Sequence, residues 1–345
     1  MTQTPQVLEP STPLDPDATL LEVDDLAVEF HTRDGIVHAV DGVTYSLSAG
    51  ETLAILGESG SGKSVSAQAI MGILDVPPAH IARGTVRFRG RDLLRMSEDQ
   101  RRRIRGAKIS MIFQDALSAL NPVYPVGWQI AEMFRVHQAM SRTDAREQAV
   151  RLLERVHIPS ARERVDDYPH QFSGGMRQRV MIAMALALSP DILIADEPTT
   201  ALDVTVQAQI MELLAELQEQ TGMGLILITH DLGVVAQVAD RVAVMYAGRI
   251  VETASIDEIY AHPAHPYTEG LIASIPRLEQ KGGRLHPIGG SPPNLMHLPS
   301  GCHFHPRCPH RRERCLTDDP PAYDVAPGRT SACHYWEEVL DEPVH

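Results

Sequence analysis

Eight consecutive residues, Gly57-Glu58-Ser59-Gly60-Ser61-Gly62-Lys63-Ser64, fit the pattern G-x-x-x-x-G-K-S/T. The apolar run Leu53-Ala54-Ile55-Leu56 precedes them and a helix-like stretch, 65–70, follows. Glycines at this spacing let successive backbone N–H groups turn toward one centre, where a polyphosphate can rest on a helix N-terminus. In that arrangement Lys63 reaches the β- and γ-phosphates and Ser64 ligates Mg2+. The bland alternative, a glycine turn that only joins a strand to a helix, would not need every fixed position to match. The loop by itself says no more than that a nucleotide binds.

Other residues could do chemistry beside it. Asp196 and Glu197 follow the apolar run Ile192-Leu193-Ile194-Ala195, at the strand end where an α/β sheet presents residues to its ligand crevice. Adjacent carboxylates there point to different sides, so Asp196 can hold a metal-bound water while Glu197 orients or deprotonates an attacking one. Phe172-Ser173-Gly174-Gly175-Met176 forms a second glycine turn before a helix. It reads either as a further anion site or as a helix start capped by Ser173.

The 4 cysteines, Cys302, Cys308, Cys315 and Cys333, all fall after residue 300 in a His-, Arg- and Pro-rich segment. Four thiolates suit a four-cysteine zinc site or an iron–sulfur cluster, although the gaps exceed the close C-x2-C pairs of zinc ribbons. His303, His305, His310 and His334 leave mixed ligation open. Arg307, Arg311 and Arg312 read as charges that offset a cluster or as a solvated face.

The elements that must position these groups are legible as patterns. Residues 20–30 and 36–47 read as short alternating strands with turn signals at Arg33-Asp34-Gly35 and Ala49-Gly50, so an antiparallel sheet is expected before the loop. Strands are expected again at 84–90 and 109–113, with the basic run 101–105 as a solvated helix face. From 126 to 187 the apolar spacing turns helical, through Ile130, Met133, Phe134, Ala149, Leu152, Leu153 and Val156. A helix carrying Ile210, Leu213, Leu214 and Leu217 ends at Gly222, and the buried strand 225–228 leads to His230. Helix alternating with apolar strand predicts a parallel sheet.

Composition sets bounds. A chain of 345 residues accommodates an α/β core plus a smaller unit. A formal net charge of -14 sets aside nucleic acid as a partner, since phosphate backbones require a basic footprint. Residues 1–19 are polar, acidic and dotted with prolines, which predicts a disordered tail and no signal peptide. No apolar run is long enough to span a bilayer, so a soluble cytoplasmic chain with reduced cysteines is expected. After Ala254 the composition shifts to Pro, His and Gly, as for a linker and a second unit.

The ordered set of Gly57 to Ser64, Gln114, Ser173-Gly174-Gly175, the run ending at Asp196-Glu197, Ala201-Leu202-Asp203 and His230 resembles the ATP-binding subunit of an ABC transporter. The resemblance implies an α/β ABC ATPase over 20–260, with a RecA-like parallel-sheet core, an antiparallel β subdomain and a helical subdomain at about 115–187. It implies a small Cys/His/Pro-rich C-terminal domain over 261–345. In family terms Glu197, His230, Lys63 and Gln114 are catalytic. Phe30 would stack on adenine, or belong to the core. Gln114 would touch Mg2+ or the attacking water, and His230 the γ-phosphate, unless it is merely a satisfied strand-end histidine. Ser173, Gly174, Gly175 and Asp203 join the nucleotide-binding set, Ser173 and Gly175 acting on ATP held by a second ATPase subunit.

Met176 and Phe172 stand where the commonest signature has Gln and Leu. With Asn121-Pro122, the Thr199 to Thr205 run and His265-Pro266-Tyr267, they are similar to the oligopeptide/dipeptide importer branch. That branch pairs two related ATPases beneath two permease subunits, at the cytoplasmic face of the membrane, fed by an extracytoplasmic peptide-binding protein. Its C-terminal extensions carry cysteines around a [4Fe–4S] cluster, which the resemblance implies here, with zinc as the alternative. Nickel or another small solute is the alternative cargo within the branch, and a soluble non-transport ABC ATPase is the rival class.

Overall fold

The computed structural model describes residues 19–115, 119–200, 202–274 and 288–341. The expected tail lies outside them, apart from Thr19. In chain order the strands are β1 (Thr19–His31), β2 (Ile36–Ser48), β3 (Thr52–Leu56), β4 (Ala79–Phe88), β5 (Arg91–Asp92), β6 (Ile109–Ile112), β7 (Ile192–Asp196), β8 (Gly224–Thr229), β9 (Arg241–Tyr246), β10 (Arg249–Ser255), β11 (Tyr323–Ala326) and β12 (Arg329–Ser331).

Two compact units form. The first, here the loop unit, comprises Thr19–Leu47, Glu51–Met96 and Ile226–His345. Its antiparallel sheet has the order β2-β1-β4-β5, with Leu21 opposite Phe88 and Val23 opposite Val86. The burial pattern along β1 changes at a register shift between Asp24 and Ala27, where the strand is bulged. A second sheet of this unit runs β11-β12-β10-β9-β3-β8, with β3 and β9 parallel. All five residues of β3 are buried, as a strand covered on both faces requires.

The composition break after Ala254 is not a break in packing. The expected boundary at 260 falls within the helix Ile256–Ala261, and β12 pairs with β10, placing Glu252 opposite Ser331. Phe304 joins Leu56, Val244, Tyr246 and Tyr267 in one apolar cluster.

The second unit, here the helical unit, comprises Ser48–Gly50 and Ser97–Leu225. In it β6 and β7 pair in parallel, Ile112 opposite Ala195. The expected insert appears as the helices Val126–Gln138, Arg142–Arg155, Ala161–Arg164 and Gly174–Leu186. Ile130 and Phe134 from one helix and Ala149, Leu152 and Leu153 from another are buried. Glu98–Ile104 is a helix with a Ser97–Gln100 capping box and no fully buried residue. Arg102 and Arg103 are exposed as expected of a solvated face, whereas Arg101 and Arg105 are half-buried and paired with Glu98. Val204–Thr221 buries Ile210, Leu213, Leu214 and Leu217 and stops at Gly222 in the left-handed conformation.

Candidate active site

The phosphate-type loop leaves β3 at Leu56 and enters the helix Lys63–Met71. Two of its glycines are required by close backbone approach. A Cβ at Gly57 would lie 2.1 Å from the Met245 carbonyl oxygen, and one at Gly62 would lie 2.2 Å from that of Ala39. Gly62 also has φ +104, which L side chains rarely adopt. Lys63 is buried, and its Nζ donates to the carbonyls of Gly57 at 2.7 Å and Glu58 at 3.0 Å. A cation is thereby set inside the curl of the loop. The buried Ser61 hydroxyl has no hydrogen-bond partner among the described residues. A cation and an unsatisfied donor inside one loop fit a polyphosphate. Ser64, half-buried, occupies the first turn of the helix. Phe30, half-buried on β1 opposite Ala79, and His230, exposed directly after β8, belong to the same unit as the loop.

The helical unit carries the carboxylates. β7 ends at Asp196, which is buried, and Glu197 follows at φ +46. A left-handed glutamate costs about 1 kcal/mol or more, strain of the kind that gathers at functional sites. Gln114 Nε2 donates to Glu197 Oε2 at 2.8 Å, and Thr200 Oγ1 donates to the same oxygen at 2.9 Å. Two sequence-assigned residues are thus brought together, and Thr200, which the sequence reading missed, completes the group. The available signal was a hydroxyl three residues beyond a strand-end carboxylate, in a turn where Thr200 N donates to Glu197 O at 3.1 Å.

Ser173 is exposed and caps the helix Gly174–Leu186, accepting from Met176 N. The capping reading of that turn therefore holds, and the exposure of Ser173 and Gly174 leaves the turn facing outward. Asp203 caps Val204–Thr221 by accepting from Val206 N at 3.0 Å.

All four cysteines are unpaired thiols lining one cavity in the loop unit, together with His265 and Phe304. Burial pushes the Cys308 thiol up to about 12 and Cys333 to about 11, and raises Cys302 as well. Burial likewise holds the His265 imidazole down to about 3, so it stays neutral and its Nδ1 accepts from Tyr267 N at 3.1 Å. Among the described residues, no group of three or more His, Cys, Asp or Glu side chains is set to hold a metal ion. The expected metal centre, cluster or zinc, is thus not shown by the side chains as they stand. The thiols line one cavity without three of them taking up ligand positions around a common centre.

Residues 40–200 match the family described as ABC transporter, and residues 251–315 match oligopeptide/dipeptide transporter, C-terminal region. The chain is 53% identical over 325 residues to the oligopeptide transport ATP-binding protein OppD of Bacillus subtilis (strain 168), covering 94% of this chain and 89% of that protein. It belongs to the ATP-binding subunits of oligopeptide and dipeptide ABC transporters. The dipeptide transport ATP-binding protein DppD of Escherichia coli (strain K12) is 50% identical over 316 residues, 92% of this chain and 96% of that one. Among solved structures, the dimeric bacterial ABC transporter cassette MJ0796 superposes with a TM-score of 0.62 at 28% identity, covering 69% of this chain and 99% of that cassette. An ABC ATPase fold with ATP as its nucleotide is therefore established for this subunit. The ABC match contains the loop, Gln114, the Ser173 turn and Glu197. The C-terminal match contains Tyr267, Phe304 and three of the cysteines and ends at Cys315, short of Cys333.

Proposed function

We propose that this subunit hydrolyses ATP to drive import of di- or oligopeptides through two membrane permease subunits, paired with a second, related ATPase subunit. The observation that carries the reading is identity of about half along nearly the whole chain to peptide-transport ATP-binding subunits, through the C-terminal region as well as the cassette. The backbone amides of Gly57, Glu58, Ser59, Gly60, Ser61 and Gly62, with the Lys63 ammonium, hold the β- and γ-phosphates. Phe30 stacks on adenine. Ser64, Gln114 and Asp196 would hold Mg2+, which would supply positive charge to offset that of the transferring phosphoryl group. Glu197 aligns the attacking water and accepts its proton, with Gln114 and Thr200 fixing the carboxylate. His230 contacts the γ-phosphate. Ser173, Gly174, Gly175 and Asp203 serve the nucleotide of the paired subunit, a role that suits the outward-facing Ser173 turn.

No helix among the described residues is long and apolar enough to cross a membrane. The subunit works from the cytoplasmic face, and an extracytoplasmic peptide-binding protein acts on it only through the permease. Exposed apolar groups on the helical unit support a permease contact. Tyr124 stacks on Trp128 with centroids 4.2 Å apart, and Val123 and Val136 are 68% and 70% exposed. In the reconstituted assembly, peptide-loaded binding protein is expected to raise ATP hydrolysis several-fold. Stimulation by nickel and not by peptide would move the cargo to a small solute. Hydrolysis by a chain that never co-purifies with permease subunits would move it to the non-transport class.

We infer further that the cysteine cavity takes a [4Fe–4S] cluster. What supports a bound metal group is that all four free thiols line one cavity, and the choice of a cluster over zinc rests on the likeness of this segment to the C-terminal region of oligopeptide/dipeptide transporters. When bound, a cluster supplies a covalent cross-link among the segments carrying Cys302, Cys308, Cys315 and Cys333. Anoxically purified protein is expected to carry about four iron and four sulfide per chain with broad visible absorption, lost in Cys308→Ser. Zinc without iron or sulfide would reject the cluster.

A further inference from the structure

Glu58, the second residue of the phosphate loop, is gripped from a point 249 residues away. Arg307 lays its guanidinium along the Glu58 carboxylate, with Nη1 to Oε2 at 2.6 Å and Nη2 to Oε1 at 3.0 Å. The Arg307 side chain is 4% exposed, and its Nε donates to Gly289 O at 2.9 Å. Its guanidinium also lies 5.8 Å from the centre of the Tyr246 ring. The Glu58 amide donates to Tyr267 Oη at 2.9 Å, so both ends of this residue are tied to groups outside the loop. Tyr246 and Tyr267 are buried and pack on Phe304. Phe304 O in turn accepts from the amides of Arg307 and Cys308, each at 3.0 Å. The turn that carries Arg307 is therefore the turn that carries two of the cavity's cysteines.

The charge arrangement gives this contact a consequence. A carboxylate on a loop that receives a polyphosphate repels its ligand unless a fixed cation cancels it. Lys63 is directed at the loop carbonyls, and the group paired with Glu58 is Arg307. A planar, bidentate, largely buried fork holds that cancellation in one geometry better than a mobile ammonium could.

We propose that Arg307 is a positioning residue for ATP binding: it neutralises Glu58 and, with Tyr267, holds the phosphate loop open in its receiving shape. The C-terminal segment is thereby part of the nucleotide site and not only an appendage to it. This rests on the reading of Gly57 to Ser64 as the ATP loop, and the test separates the two.

Equilibrium ATP binding is measured on the full chain and four variants. Arg307→Met is expected to weaken binding about tenfold, with a smaller loss for ADP, because the uncancelled Glu58 charge faces the triphosphate. Removing that charge as well, in the Glu58→Gln/Arg307→Met double variant, is expected to restore affinity to within about threefold of the unaltered chain. A purely structural loss would not be rescued this way. Arg307→Lys, which keeps the charge and loses the fork, should retain most of the affinity and covers the case in which Arg307→Met folds poorly. Unchanged affinity in folded Arg307→Met, or a double variant as weak as the single, overturns the proposal. Normal ATP binding by Lys63→Met would instead overturn the loop reading, and this inference with it.

Discussion

Glu197→Gln is expected to leave ATP binding within a few-fold of the unaltered subunit and to lower turnover by two to four orders of magnitude, about what removing a general base costs. The substitution is nearly isosteric. A glutamine at 197 can turn its oxygen toward Gln114 Nε2 and Thr200 Oγ1, the two donors that converge on Glu197 Oε2 at 2.8 and 2.9 Å. The local geometry, including the left-handed backbone at φ +46, then has no reason to change. On the proposed role, what disappears is the negative charge that accepts the water's proton, and with it the driving force for attack on the γ-phosphate. Single-turnover hydrolysis by the assembled transporter, alongside nucleotide affinity, separates the two effects. Near-normal hydrolysis by that variant would remove Glu197 from the catalytic role.

Gly57→Ala is expected to destabilise the subunit by several kcal/mol, of the order seen for overpacking a rigid site, and to abolish measurable ATP binding. The added Cβ would stand 2.1 Å from the Met245 carbonyl oxygen and 2.9 Å from Ser61 Oγ. Neither backbone can yield cheaply, because β3 and β9 are paired in parallel from Leu53–Arg241 to Leu56–Val244. The loop would have to move away from β9, carrying the carbonyls that Lys63 bonds. Gly60→Ala is the control. Its Cβ meets nothing within 4 Å, and the cost is confined to an alanine at φ +80, about 1–2 kcal/mol. Thermal unfolding and nucleotide titration of the two variants should therefore diverge widely. Similar behaviour would show that close approach to Met245 does not constrain the loop.

The chemistry was legible where it depends on consecutive residues. The apolar run of β3, the glycines and lysine after it, and the carboxylates at the end of β7 are recognisable from local sequence, and the ordered motifs point to the family. The helical insert was legible too, because a buried face imposes its spacing on the sequence. Strand limits were less so. β4 begins at Ala79, five residues before the expected start, because pairing with β1 places Ile81 opposite Val28 and Ala79 opposite Phe30. Nothing in Ala79 to Arg83 announces that partner.

Arg307 illustrates what sequence alone could not decide. In a cluster with Arg311 and Arg312 it read as a solvated face or a counter-charge. Arg312 does lie at the surface, paired with Glu338, whereas Arg307 is buried against Glu58. Spacing carries no information about a partner 249 residues away. That pairing arises because Phe304 packs with the aromatic rings of Tyr246 and Tyr267, which brings the turn from Cys302 to Cys308 against the loop. By itself the sequence determined that a nucleotide loop, a pair of strand-end carboxylates and four thiols exist. Tertiary packing alone decided that Thr200 supports Glu197, that the thiols line one cavity, and that Arg307 holds Glu58 in place, since long-range contacts depend on which surfaces the folded strands bring together.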